Sequence, residues 1–136
     1  MTTRIIVPNE DKTGGFGKPE KKFKHVAFYQ YMEHVFTITP ADSITIDITN
    51  GSVQLLTCDR DVTIAGFTGW PPSGTCANLT LMVNPGTYTV TWPTEILWEN
   101  SVVPTLKENA ANWISLWSVD GGTTIYATAS LNYGTA

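Results

Sequence analysis

The feature that most constrains the fold is a series of short segments in which apolar and polar residues alternate, separated by turn residues. In SITIDIT (43–49) the three isoleucines fall on one face, and Asn50-Gly51, a strong hairpin signal, follows at once. Similar segments recur roughly every 8–12 residues, a spacing typical of sandwiches and barrels. None of them has the 3.6-residue period of a helix. The sequence therefore predicts an all-β protein.

The predicted strands are eight segments from residue 43 onward and one or two before them. After SITIDIT they are SVQLLTC (52–58), DVTIAGF (61–67), ANLTLMV (77–83), TYTVTW (87–92), EILW (95–98), NWISLWSV (112–119) and TTIYATA (123–129), with one or two more in HVAFYQYMEHVFTIT (25–39). SVQLLTC is expected to run back along SITIDIT as a hairpin, and Asp120-Gly121-Gly122 is expected to join the last two strands. We expect an antiparallel, jelly-roll-like β-sandwich over residues 26–136, preceded by an extended basic arm over residues 1–25.

The alternation also predicts which side chains fill the core. They are Leu79, Leu81 and Val83 in one strand, Tyr88, Val90 and Trp92 in the next, then Ile96 and Trp98 after a corner, and Ile114 and Leu116 near the end. Pro93 is expected to end its strand because proline cannot donate to the ladder.

Charge is distributed unevenly along the chain. Six of the eight Lys and Arg residues and three carboxylates lie in residues 1–24, so this segment has a net charge of +3. The rest of the chain has a net charge of −7, and the two add up to −4. A basic arm on an acidic body favours an arm that lies on a different, acidic surface. Only 15% of residues are charged, against about a quarter in an average soluble domain. Much of the surface is therefore expected to be covered by partners.

Few residues offer catalytic or metal chemistry. Cys58 and Cys76 lie far apart in a chain without a recognisable secretion signal, which favours two buried thiols over a disulfide. His25 and His34 are the only histidines, and neither lies beside a nucleophile or in a zinc-binding spacing. No apolar run is long enough to span a membrane. We expect a protein that is not an enzyme and has no metal, cofactor, membrane or nucleic-acid partner.

Two tryptophans stand out in NWISLWS. If Ile114 and Leu116 enter the core, then Trp113 and Trp117 lie on the opposite face of the strand. Such indoles can form a subunit interface or stack on sugar rings. Burial within or between subunits is favoured, because interface cores are rich in Trp and poor in charge.

Several motifs follow one another between about residues 60 and 134: an L-x-L strand, Y-T-V-T-W-P, an I-x-W corner, P-T-L and a D-G-G-T hairpin with an aromatic and a glycine. They are carried by Tyr88, Val90, Trp92, Pro93, Ile96, Trp98, Pro104, Thr105, Leu106, Asp120, Gly121, Gly122, Thr123, Tyr126 and Gly134. In this order they resemble a β module of tailed-phage virion proteins. Such modules often have a glycine pair after the corner, whereas residues 99–103 here are ENSVV.

The resemblance implies a phage virion structural protein that forms a homotrimer. One form is a capsid decoration (cement) protein on the capsid exterior, assembled in the host cytoplasm, with the major capsid protein as partner. The alternative is the receptor-binding head of a tail fibre. The lack of a fibre shaft in this sequence favours cement, as does the basic arm, which can span ~80 Å at ~3.3 Å per residue. The predicted capsid-binding residues are Arg4, Ile5, Ile6, Val7, Phe16, Lys18, Lys21, Lys22, Phe23 and Lys24.

Overall fold

A computed structural model describes residues 15–16 and 20–134 of the chain. The chain divides into two units, residues 1–31 and 32–136. In the second unit the strands are β1 Val35–Ile38, β2 Ser43–Asp47, β3 Val53–Thr57, β4 Val62–Thr68, β5 Ala77–Asn84, β6 Val90–Thr91, β7 Ile96–Trp98, β8 Ala111–Ser118 and β9 Ile125–Tyr133. Two single-turn 3-10 helices, Ile48–Asn50 and Glu99–Ser101, are the only helical segments in the described residues. The prediction of an all-β protein is confirmed.

The strands form two sheets. A six-stranded sheet has the order β1-β3-β5-β8-β9-β7, and a three-stranded sheet has the order β2-β4-β6. From β1 to β7 the chain therefore alternates between the sheets. Each strand from β3 to β6 lies beside the one before last and runs in the same direction, whereas β7 pairs with β9 at the edge of the large sheet. Val35 of β1 pairs with Val53 of β3, and Val53 pairs in turn with Thr80 of β5. Each of these steps passes through one strand of the small sheet.

The predicted strand direction was wrong for most pairs. Among the described strands, five of the seven pairs are parallel, and the two antiparallel pairs are β5–β8 and β8–β9. The predicted hairpin at Asn50-Gly51 was also wrong, because β2 pairs with β4 and β3 lies in the other sheet. The 3-10 turn Ile48–Asn50, where Asp47 accepts from the backbone N–H of Thr49, carries the chain from one sheet to the other. The strand orders of the two sheets do not show the jelly-roll topology that the sequence predicted.

The core lies between the two sheets, and the alternation predicted most of it correctly. Leu79, Leu81 and Val83 of β5 are fully buried, as are Ile114 and Leu116 of β8. In the same cluster are Leu56 and Ile125 of the large sheet and, from the small sheet, Ile44, Ile46, Val62 and Ile64. Alternation predicts burial well, because side chains of successive strand residues point to opposite faces whatever the neighbouring strand is.

Tyr88 is the one predicted core residue that lies outside. It belongs to the turn that follows Pro85, where its N–H donates to the Pro85 carbonyl, and its side chain is 43% exposed. The strand begins only at Val90. Trp92 and Trp98 do pack against the core, with their rings edge to face at 5.2 Å. This pair lies between β6 and β7, the edge strands on one side of the two sheets.

The predicted turn at Asp120-Gly121-Gly122 is confirmed as the connection of an antiparallel pair, β8 and β9. Both glycines have positive φ, +77° and +86°, a conformation that other residues adopt at a cost. The Ser118 hydroxyl donates to the Asp120 carboxylate and accepts from the Gly122 N–H. The backbone N–H of Thr124 also donates to Asp120, and this bond, with the Ser118 hydroxyl, lowers the pKa of that carboxyl.

Asn112, which the sequence did not mark as buried, is fully enclosed. Its Nδ2 donates to the carbonyls of Val83, Lys107 and Ala110 at 3.0–3.2 Å. Its Oδ1 accepts from the N–H groups of Lys107 and Asn132. One side chain thus joins β5, β9 and the loop before β8, and it pairs with backbone groups that are buried or partly buried.

Candidate functional site

The outer face of the large sheet carries the two tryptophans that the sequence singled out. In β8 the residues Asn112, Ile114, Leu116 and Ser118 point inward and are buried. Trp113, Ser115 and Trp117 therefore point outward, and both indoles are half-buried. This confirms the predicted placement of Trp113 and Trp117 on the opposite face from the core. They lie four residues apart on one strand, roughly 14 Å at ~3.4 Å per residue.

Trp117 belongs to a row of side chains that crosses four strands. The register places Asn78 on one side of it, and Tyr126 and then Leu97 on the other. The Trp117 and Tyr126 rings are stacked, with centroids 5.9 Å apart and planes 22° from parallel. Leu97 is 53% exposed. We call Trp117, Tyr126 and Leu97 the aromatic row.

A row of hydroxyls separates the aromatic row from Trp113. Ser115 is paired with Thr80 on one side and with Thr128 on the other. The Thr128 hydroxyl donates to the carboxylate of Glu99, which begins the 3-10 turn after β7. Beyond this hydroxyl row, Trp113 lies between Met82 and Ser130.

A shallow depression of about 480 Å³ opens over the aromatic row. It is lined by Leu97, Glu99, Trp117, Tyr126 and Thr128, among others. The site thus combines stacked rings, an aliphatic side chain, one carboxylate and one hydroxyl. The sequence could have indicated Tyr126, because the Asp120–Gly122 turn fixes the register that sets it opposite Trp117. Leu97 and Glu99 had no such signal, since β7 and β9 pair only through the tertiary fold.

The arm residues are described only in part. Arg4, Ile5, Ile6, Val7 and Lys18 lie outside the described residues. Lys21, Lys22 and Lys24 are exposed, and Phe16 and Phe23 contact each other with ring centroids 5.0 Å apart while remaining 75% and 59% exposed.

The segment that follows is also exposed. The sequence predicted one or two strands in residues 25–39, and one is present, β1. The described residues before it, 25–34, form no strand, and their large side chains face solvent. Phe28 and Tyr31 are each 72% exposed, and Tyr29 is fully exposed. This leaves several adjacent aromatic rings without apolar cover.

Groups with catalytic potential are not brought together in the part of the chain that the structure describes. Cys58 is buried and free, and burial, followed by the nearby Asp59 carboxylate, raises the pKa of its thiol. Asp59 is hydrogen-bonded to Arg60, which lowers the pKa of the carboxyl. Cys76 is free and exposed, so the expectation of two buried thiols holds for Cys58 alone.

Within residues 15–16 and 20–134, no three His, Cys, Asp or Glu side chains are placed to hold a metal ion. In the same residues, no helix is long and apolar enough to cross a bilayer.

Comparisons with models of protein families, with curated proteins and with solved structures gave no match.

Proposed function

We propose that the protein is a structural component of a phage virion, a capsid decoration protein that binds the major capsid protein through its N-terminal segment. The observation that carries the proposal is the exposure of aromatic and basic side chains in residues 20–32. Apolar side chains this exposed are typical of a binding segment. The resemblance to tailed-phage virion modules supplies the kind of partner.

The chemistry of the segment fits a partly acidic, partly apolar partner surface. Burial of an aromatic side chain contributes about 1.5–3 kcal/mol, so Phe23, Phe28 and Tyr31 together can offset the cost of ordering the segment. Lys21, Lys22 and Lys24 would contact carboxylates at the rim, where charges mainly set the association rate and the specificity. The sandwich does not need this segment for its core, which is made by residues from Ile44 onward.

We also propose a homotrimer on the capsid exterior. The number three comes from the resemblance. The low charge of the chain supports subunit contacts in general. Light scattering of the full chain at micromolar concentration measures the mass, and a monomer would remove this part of the proposal.

The decisive measurement is the copy number of the protein in purified particles by quantitative mass spectrometry. A decoration protein is present in hundreds of copies, and a copy number near a dozen favours the tail-fibre head instead. The protein's absence from purified particles refutes both. The stacked Trp117 and Tyr126 rings are the observation that keeps the tail-fibre head as the second candidate.

A variant pair tests the role of the segment. Phe28→Ser with Tyr29→Ser removes two exposed rings, and we expect at least a tenfold fall in copies per particle with an unchanged circular dichroism spectrum. The matched control is Val102→Ser with Val103→Ser, two adjacent side chains that are 65% and 56% exposed on the sandwich. An equal loss for both double variants would show that general solubility, not the segment, governs incorporation.

A further inference from the structure

The outer face of the large sheet is apolar and polar in alternate rows, with very little charge. The outward residues of β5, β8 and β9 between Asn78 and Ser130 are amides, hydroxyls, aromatics and one methionine. The Glu99 carboxylate lies beside them and accepts from Thr128, and none of these outward residues is Lys or Arg. Such a face does not attract polyanions, which need several cations, and it would leave charged peptides poorly paired.

We propose that this face binds a neutral oligosaccharide, with the aromatic row as its main contact. A sugar ring has an apolar C–H face and a rim of hydroxyls. The Trp117 and Tyr126 rings with Leu97 supply an apolar wall of the 480 Å³ depression. The Glu99 carboxylate, oriented by the Thr128 hydroxyl, keeps acceptor capacity for sugar hydroxyls. A few placed polar groups in an aromatic-lined depression are typical of small-molecule sites.

The position of Trp113 favours a chain of sugars over a single one. It lies on the same face, roughly 14 Å from Trp117 along β8. Between the two indoles lie the hydroxyls of Thr80, Ser115 and Thr128. A ligand that contacts both indoles must be extended along the strand and hydroxylated in its middle, which describes an oligosaccharide.

A second copy of the chain fits this face less well. The core of a subunit interface is usually a continuous apolar patch. On β5, β8 and β9 the hydroxyl row separates two apolar parts, the aromatic row and Trp113 with Met82, while at β3 the row continues as Val53. A partner subunit would have to satisfy these hydroxyls while covering both parts. The inference does not depend on whether the protein belongs to a capsid or a tail.

Affinity electrophoresis of the full chain tests the proposal. The gels contain a neutral mannan, galactan or glucan, and dextran sulfate serves as the polyanion control. We expect retardation by at least one neutral polysaccharide, unchanged by 0.5 M salt, and none by dextran sulfate. Trp117→Ala and Tyr126→Ala should each weaken the apparent affinity at least tenfold. Tyr126→Phe keeps the ring and should retain the affinity within about threefold.

The controls separate binding from folding and from self-association. Tyr88→Ala removes a comparably exposed tyrosine outside this face and should bind as the unaltered chain does. Circular dichroism and light scattering are recorded for every variant. The proposal is overturned if no neutral polysaccharide retards the chain, or if retardation survives Trp117→Ala. It is also overturned if Trp117→Ala changes the oligomeric mass, because the face is then a subunit interface.

Discussion

Replacing Asn112 by leucine is expected to destabilise the protein severely, although the two side chains have the same number and branching of heavy atoms. The amide is fully buried and makes hydrogen bonds to five backbone groups. Leucine can satisfy none of them. The groups left without this partner are the carbonyls of Val83, Lys107 and Ala110 and the N–H groups of Lys107 and Asn132.

The magnitude follows from the number of bonds. A net loss of about 1 kcal/mol per bond gives roughly 3–5 kcal/mol, because some of the five groups can reach water or share another partner. This is a large part of the 5–15 kcal/mol that is typical of a domain's stability. At about 3–5 °C per kcal/mol for a domain of this size, the midpoint of thermal unfolding should fall by roughly 10–20 °C.

Urea unfolding followed by tryptophan fluorescence measures the change. The matched control is Asn78→Leu, at an exposed asparagine of β5, for which we expect a change within about 0.5 kcal/mol. A decrease below about 1 kcal/mol for Asn112→Leu would refute the reasoning, because it would mean that the backbone groups find other partners without cost.

The aspartate variant at the same position tests the direction of the bonds. Asn112→Asp keeps the shape but places an oxygen against three carbonyls. Burial and these carbonyls raise the pKa of the introduced carboxyl above its value in the unfolded chain. The variant is therefore least stable at neutral pH and should recover stability, relative to the unaltered chain, as the pH is lowered through that raised pKa. A destabilisation that does not depend on pH would contradict the assigned donors.

Two further predictions concern the turn before β9 and the buried thiol. Gly122→Ala should lower the free energy of unfolding by at least 2 kcal/mol more than Gly74→Ala does. Both glycines have φ near +85°, but only at Gly122 would an added Cβ overlap the Trp70 indole. Equal losses of stability in the two variants would show that the overlap relaxes freely. For Cys58, whose thiol pKa is raised by burial and by Asp59, deprotonation favours the unfolded chain, so stability should fall as the pH rises above 9.0. Thiol titration with Ellman's reagent should label Cys76 rapidly and Cys58 only on unfolding, and the alkaline loss should be smaller in Cys58→Ala.

The sequence allowed burial to be predicted much better than strand pairing. Alternation identified Leu79, Leu81 and Ile114 as core residues because it depends only on the pleat of one strand. Pairing depends on where a connection leads, and the 3-10 turn Ile48–Asn50 leads to the other sheet although its Asn-Gly sequence favours a hairpin. Asn112 was missed because polarity alone predicts exposure, and two of its partners, Val83 and Asn132, are distant in sequence.

The sequence predicted the part of the candidate site that lies on a single strand, β8. Trp113 and Trp117 could be assigned to the outer face from β8 alone. Tyr126 required the register across the Asp120–Gly122 turn, which the sequence indicates. Leu97 required the parallel pairing of β7 with β9, which nothing in the sequence specifies.

The packing of Trp98 links the core to this outer face. Its indole lies against Trp92 between β6 and β7, on the core side of the large sheet. Because neighbouring residues of a strand point to opposite faces, an inward Trp98 requires Leu97 to point outward, beside Tyr126. The chain then enters the 3-10 turn, which sets Glu99 within reach of the Thr128 hydroxyl. The residues that close the edge of the sandwich therefore also fix one wall of the proposed binding site, so its geometry is held by the core.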